Sequence, residues 1–182
     1  MDDVEDSRRR FDTQVLPHLG AAYNLARWLV RDGHDAEDVV QDAMLRALRH
    51  FGGFRGTDAR PWLLAIVRNS AWAWLGARRP AELVELDEAA LHAALVESGL
   101  GADLDPETIA IRRGEKRAID TAIAALPIVF REALILRELE DLAYREIAQV
   151  LEVPIGTVMS RLSRARSLLA GSLAALEAGS RS

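Results

Sequence analysis

The chain has 182 residues, enough for one ordinary domain or two small ones. At 49% hydrophobic and 28% charged residues the composition is globular rather than disordered, and the lack of cysteine excludes disulfides and thiolate metal sites. The formal net charge of −5 argues against a nucleic-acid partner only until its distribution is read: residues 1–80 hold 12 arginines against 11 acids, residues 81–110 hold 8 acids and no lysine or arginine, and residues 111–182 hold 11 basic against 9 acidic side chains. Two nearly balanced blocks flank an acidic segment, which marks modular organisation.

The opening MDDVEDSRRR lacks the cationic start and apolar core of a secretory signal. No apolar run approaches the about 20 residues of a membrane helix, so a cytoplasmic protein without membrane insertion is expected. Strand-like alternation is nearly absent and the helical period prevails. A first stripe runs Leu16, Leu19, Ala22, Tyr23, Ala26, Leu29, Val30. After a turn at 32–34, Asp35 is expected to cap a second helix with the inward face Ala36, Val39, Val40, Ala43, Met44, Ala47, Leu48, Phe51. Gly52, Gly53 and Gly56 interrupt the pattern, and Pro61 suits the first turn of a third helix, where no amide donor is needed. Its stripe reads Trp62, Leu63, Ile66, Val67, Ser70, Ala71, Trp74, and Arg78, Arg79 and Pro80 end it. These helices predict an N-terminal bundle.

Segment 81–110 contains apolar residues but is broken by Gly99, Gly101 and Pro106, and reads as a linker. Beyond it, Ile119, Ala122, Ile123 and Leu126 share a helix face. Pro127 opens another helix with Val129, Phe130, Ala133 and Leu134, and two more are expected over 144–151 and about 156–169. Four short helices must pack on one another to bury their faces. The last two have the pattern of a helix-turn-helix: small Ala148 at the crossing, Ile147, Leu151, Val153, Val158 and Leu162 as apolar locks, and Pro154 to stop the first helix. Thr157, Met159, Ser160, Ser163 and Arg164 then fall on or beside the outer face, where hydroxyls and cations suit phosphates and base edges in a major groove. The bland alternative is a helical hairpin with a solvated basic face.

The segment PIGTVMSRLSRAR at 154–166 resembles the region 4 signature of the sigma-70 family. DAEDVVQDAMLRA at 35–47 resembles its region 2 core-binding helix, and WLLAIVRNSA at 62–71 the region 2 helix that reads the −10 element. Three motifs in order, with only regions 2 and 4 present, resemble the extracytoplasmic-function (ECF) group. The resemblance implies an all-α protein of two small helical domains: region 2 at 1–80 for core polymerase, −10 recognition and melting, an acidic linker at 81–112, and region 4 at 113–182 for −35 recognition. It implies no catalysis and no cofactor, with RNA polymerase core and promoter DNA as partners.

Carried over residue by residue, the resemblance assigns the polymerase-docking face to Glu37, Asp38, Gln41, Asp42, Leu45, Arg46 and Arg49. It assigns −10 contacts to Phe54, Arg55, Arg68, Asn69 and Trp72, with the loop 54–58 holding a flipped base. The −35 contacts fall to Arg137, Thr157, Met159, Ser160, Ser163 and Arg164, with Arg161 and Arg166 meeting phosphates or standing as ordinary surface arginines. Solvated helix faces, and core roles for Trp62, Trp74 and Phe54, are the alternatives. Two departures stand out. Glu152 occupies a position where many relatives have Gly for a left-handed turn, and Met159 stands where many have Lys or Arg. The acidic linker either mimics a polyanion in a basic channel or is a solvated connector. Because the body is acidic, the free protein is expected to bind promoters weakly, and an anti-sigma partner that clamps both domains is expected.

A stand-alone helix-turn-helix regulator is the main competing reading; it leaves the matches at 35–47 and 58–71 unexplained. An enzyme is disfavoured, because His18, His34, His50 and His92 show no metal-ligand spacing and no phosphate-binding glycine loop is present.

Overall fold

The computed structural model describes residues 2–84 and 113–179. Among these, helices α1 (Asp2–Gln14), α2 (Leu19–Val30), α3 (Gly33–His50), α4 (Ala59–Arg78) and α5 (Ala81–Val84) build the N-terminal module. The C-terminal module is α6 (Arg113–Ala125), α7 (Ile128–Glu138), α8 (Tyr144–Leu151) and α9 (Ile155–Gly179). Short 3-10 turns at Leu16–His18 and Phe51–Gly53 join α1 to α2 and close α3. The acidic linker expected at 81–112 lies outside the described residues except for α5.

The helix starts follow from side-chain caps. Asp32, not Asp35, caps α3: its backbone is extended and its Oδ1 accepts the N–H groups of His34 at 2.8 Å and Asp35 at 3.0 Å. The carboxylate belongs two to three residues ahead of the donors it serves, and Asp35 already lies inside the first turn. Those two amides, Asp35 first and His34 second, hold the Asp32 carboxyl below its ordinary value of 3.8. Asp58 caps α4 by accepting the Arg60 amide at 2.9 Å, which places Pro61 in the first turn as expected.

The inward faces are narrower than the periodicity implied. On α3, Ala36, Val39, Val40, Ala43 and Ala47 are buried, but Met44 is half-buried and Leu48 is exposed. On α4 the core row is Leu63, Leu64, Val67, Ser70, Ala71 and Leu75, while Trp62, Ile66 and Trp74 flank it half-buried. Phe51 sits edge-on to Phe11, with ring centroids 5.3 Å apart, and stacks at 6.0 Å on Phe54, which tilts against Trp62 at 4.9 Å. This aromatic cluster seals the end of the bundle where α1 meets the loop after α3.

In the C-terminal module, every residue from Ile128 to Leu136 is buried, Arg131 and Glu132 included. A helix buried all round must be enclosed on every side. One side of α7 meets α9, and the other meets α2 of the N-terminal module, while α4 packs against α8. Arg131 spends its terminal nitrogens on carbonyls: Nη1 donates to Ala124 O at 2.6 Å and Leu126 O at 3.2 Å at the end of α6, and Nη2 to Leu29 O of α2 at 3.4 Å. A cation there complements the negative helix terminus. The turn between α8 and α9 keeps the expected geometry although no glycine is present. Glu152 adopts the left-handed conformation itself, at φ 55° and ψ 42°, and the Val153 N–H returns to Ala148 O at 3.1 Å. Helix α9 runs past the expected end to Gly179.

Candidate functional site

Three faces carry the residues singled out by sequence. On α3, Glu37, Asp38, Gln41, Asp42, Leu45 and Arg46 all point outward. Arg46 Nε donates to Asp42 Oδ2 at 2.7 Å, and the same oxygen accepts the Ser70 hydroxyl at 2.9 Å, so this end of the face is pinned to α4. Leu45 is 56% exposed and Leu48 53%. With Leu19, Tyr23, Val40 and Met44 they line an apolar groove of about 770 Å³ between α2 and α3. Sequence reasoning had put Leu19, Tyr23 and Leu48 on the inward side. The available signal was surplus: both helices carry more apolar residues than one buried stripe can hold.

The second face is α4 with its preceding loop. Asn69 is exposed, and its Oδ1 accepts from Arg68 Nη1 at 3.2 Å. The Arg68 guanidinium lies 4.5 Å from the centre of the Trp72 ring, a cation–π stack. Phe54 is not an open contact as expected; it belongs to the aromatic core. Arg55 is exposed, yet its Nη1 donates to Gly52 O at 2.6 Å and Phe54 O at 3.1 Å, stapling the loop.

The third face is the outer side of α9. Met159 is 55% exposed and Ser163 is exposed, with Thr157, Ser160 and Arg164 beside them half-buried. The Ser160 hydroxyl donates back to Thr157 O at 2.9 Å, an intrahelical bond. Arg137 lies ahead of the turn, where Nη1 donates to Leu142 O at 3.0 Å and the guanidinium sits 5.5 Å from the Tyr144 ring centre. Arg161, expected to meet phosphates, is instead buried and turned inward. Arg166 pairs with Glu138 at 2.8 Å.

One residue absent from the sequence reading brings two of these faces together. The Glu132 side chain is completely buried. Its Oε2 accepts Arg68 Nε at 3.0 Å and Trp72 Nε1 at 2.8 Å; its Oε1 accepts Arg68 Nη2 at 3.2 Å and Arg161 Nη1 at 3.3 Å. A buried carboxylate is tolerated only when paired and hydrogen-bonded, and here both oxygens are occupied. Removing one partner from such a pair costs about 3–5 kcal/mol, because the other is left charged and dry. Glu140, also buried, repeats the arrangement nearby: Oε2 accepts Arg60 Nη2 at 2.8 Å and Oε1 accepts Asn24 Nδ2 at 2.6 Å. The sequence signal was a charged pair, Arg131–Glu132, inside the otherwise apolar run 128–136.

Comparison with known proteins agrees with this geometry. The model of Sigma-70 region 2 matches residues 15–79, and that of Sigma-70 region 4 matches residues 116–169. The RNA polymerase sigma-H factor of Pseudomonas aeruginosa is 36% identical over 166 residues, 89% of this chain and 85% of that one. The ECF RNA polymerase sigma-E factor of Escherichia coli is 37% identical over 168 residues, with the same coverage of 89% and 85%. Among solved structures, the sigma factor RpoE in complex with the anti-sigma factor NepR from Bartonella quintana aligns with a TM-score of 0.65 at 27% identity, over 90% of this chain and 96% of that one. CnrH in complex with the cytosolic domain of CnrY aligns with a TM-score of 0.59 at 26% identity, over 94% and 95%. On its two region models and on relatives alike along most of its length, the chain belongs to the sigma-70 family of RNA polymerase sigma factors, in the ECF group.

Proposed function

We propose that this chain binds RNA polymerase core and directs promoter-specific initiation, with residues 1–80 engaging the polymerase and the melted −10 strand and residues 113–182 seated on the −35 duplex. The observation that carries this reading is the pairing of two family modules in order, each with an open face of suitable chemistry. The outward side of α3 offers an exposed leucine among charges beside an apolar groove, a composition suited to a protein partner. The outer side of α9 offers hydroxyls, Arg164 and the apolar thioether tip of Met159, groups that fit base edges and thymine methyls. Asn69 supports the −10 role by its exposure on α4. The chain performs no chemistry of its own in this reading; the polymerase does.

Control by an anti-sigma protein is part of the proposal. The solved RpoE relative is in complex with the anti-sigma factor NepR, and this chain shares its fold over 90% of its length.

The test is reconstitution. The purified chain should co-elute with core polymerase and start transcription at mapped promoters sharing −35 and −10 elements. Asn69→Ala should lower open-complex formation, and Arg164→Ala should weaken −35 duplex engagement, each by about ten-fold or more, the scale of one lost base contact. Failure to join core polymerase, together with tight dimeric binding to paired half-sites, would return the chain to the stand-alone regulators.

A further inference from the structure

The Glu132 cluster joins residues with separate tasks. Arg68 and Trp72 stand on α4, the element assigned to the melted strand, and Arg161 on α9, the element assigned to the duplex. All three direct hydrogen bonds at one carboxylate contributed by α7. The Trp72 indole N–H is spent on Glu132 Oε2, and one face of the indole is covered by the Arg68 guanidinium at 4.5 Å. A base cannot stack on that face, nor a phosphate or base edge take those donors, while Glu132 holds them. Arg161 is drawn off the outer surface of α9 by the same carboxylate.

Among the described residues, the carboxylate–guanidinium pairs between the modules are one-sided. Both bridging carboxylates, Glu132 and Glu140, belong to the C-terminal module, and Arg68 and Arg60, which meet them, belong to the N-terminal one. The C-terminal module thus presents to α4 the kind of charge that DNA would present. The contact is also dry: side-chain exposure is 17% for Arg68 and 0% for Glu132. A buried ion pair of this kind adds little over a well-packed apolar contact but is strongly sensitive to loss of one partner, a property that suits a latch better than a structural brace.

We propose that Glu132 is an internal counter-anion that closes this sigma factor on itself, so that the closed form and the form that reads the −10 strand exclude each other. Glu140 with Arg60 and Asn24 is the second fastening of the same closure. The chain therefore carries its own restraint before any inhibitor binds, and polymerase or promoter must break it. The occlusion rests on the assignment of Arg68 and Trp72 to the strand; the closure itself does not.

The absence of native cysteine makes the test clean. His50→Cys on exposed α3 and Arg145→Cys on exposed α8 allow spin labels to report the distance between modules in the full chain. The parent should give one narrow, short distribution. Glu132→Gln, which keeps the shape but removes the carboxylate charge that Arg68 and Arg161 share, should add longer distances. It should also raise affinity for a fluorescent single-stranded DNA pool of random sequence by about ten-fold, as expected if the competent form rises from a minor to the major population. Circular dichroism verifies folding. Should Glu132→Gln fail to fold, Glu140→Gln carries the same two readouts. Unchanged distances in a folded variant overturn the latch. Opening with no gain in DNA affinity overturns the occlusion and the strand assignment of Arg68 and Trp72, whereas co-elution with core polymerase reads the family function independently.

Discussion

Gly56 lies so close to Phe54 that a Cβ built on it would stand 2.8 Å from two carbons of the ring. Phe54 cannot retreat, because its other contacts are Phe51 and Trp62 in the aromatic cluster. A single added methyl must therefore displace the ring or the loop. Gly56→Ala should destabilise the chain by about 1–3 kcal/mol, the usual cost of overpacking, measured by urea denaturation. It should also alter the near-ultraviolet circular dichroism of the cluster. A neutral result would mean that the loop yields freely.

Leu45 protrudes from α3 with over half its surface open, beside the apolar groove. Leu45→Glu removes no core contact, so the melting temperature should stay within about 1 °C, as for ordinary surface changes. Affinity for core polymerase should fall by about ten-fold or more, as for a central apolar contact of an interface. Titration of labelled chain with core enzyme measures it. Unaltered affinity would move the docking face elsewhere.

Glu152 holds a left-handed backbone at φ 55° with an exposed side chain. Only glycine adopts this conformation without steric cost. Glu152→Gly should stabilise the C-terminal module by about 0.5–1 kcal/mol, the relief of strain exceeding the added freedom of the unfolded chain. Chemical denaturation of the two forms side by side gives the sign.

Asp32 caps α3 through two amide donors, and these lower its pKa on folding. A carboxyl with a depressed folded-state pKa contributes stability above its unfolded value, ordinarily 3.8, and loses that contribution as pH falls through the folded value. Asp32→Ala should lower the melting temperature at pH 7 by about 2–4 °C. The gap between the two forms should close as the pH is brought below the unfolded value. A gap that is constant with pH would assign the effect to something other than the charged cap.

Much of the architecture was legible from residue order. The stop at Pro154, the locks Ile147, Leu151, Val158 and Leu162, and the open positions Met159 and Ser163 all stand as their spacing required. Those features are local: a helical period, a ring without an amide donor and a turn are set by residues a few positions apart. The outward placement of Glu37, Gln41 and Leu45 was equally local, since they fall opposite Ala36, Val39 and Ala43 on the same helix.

Folding decided what periodicity leaves open. Helices α2 and α3 are apolar over more than one stripe, and only their packing on each other, on α4 and, for α2, on α7 determined that Tyr23 and Leu48 would face out while Leu25 and Ala47 faced in. The partners of Glu132 lie 29, 60 and 64 positions away. Nothing in their neighbourhoods along the chain distinguishes those pairings from others, because a charge's partner belongs to two surfaces rather than to one helix. The order of amino acids determined which segments are helical and which faces could serve polymerase or DNA. The tertiary structure alone determined that Arg68, Trp72 and Arg161 are held by one buried carboxylate, since only burial makes that pairing obligatory.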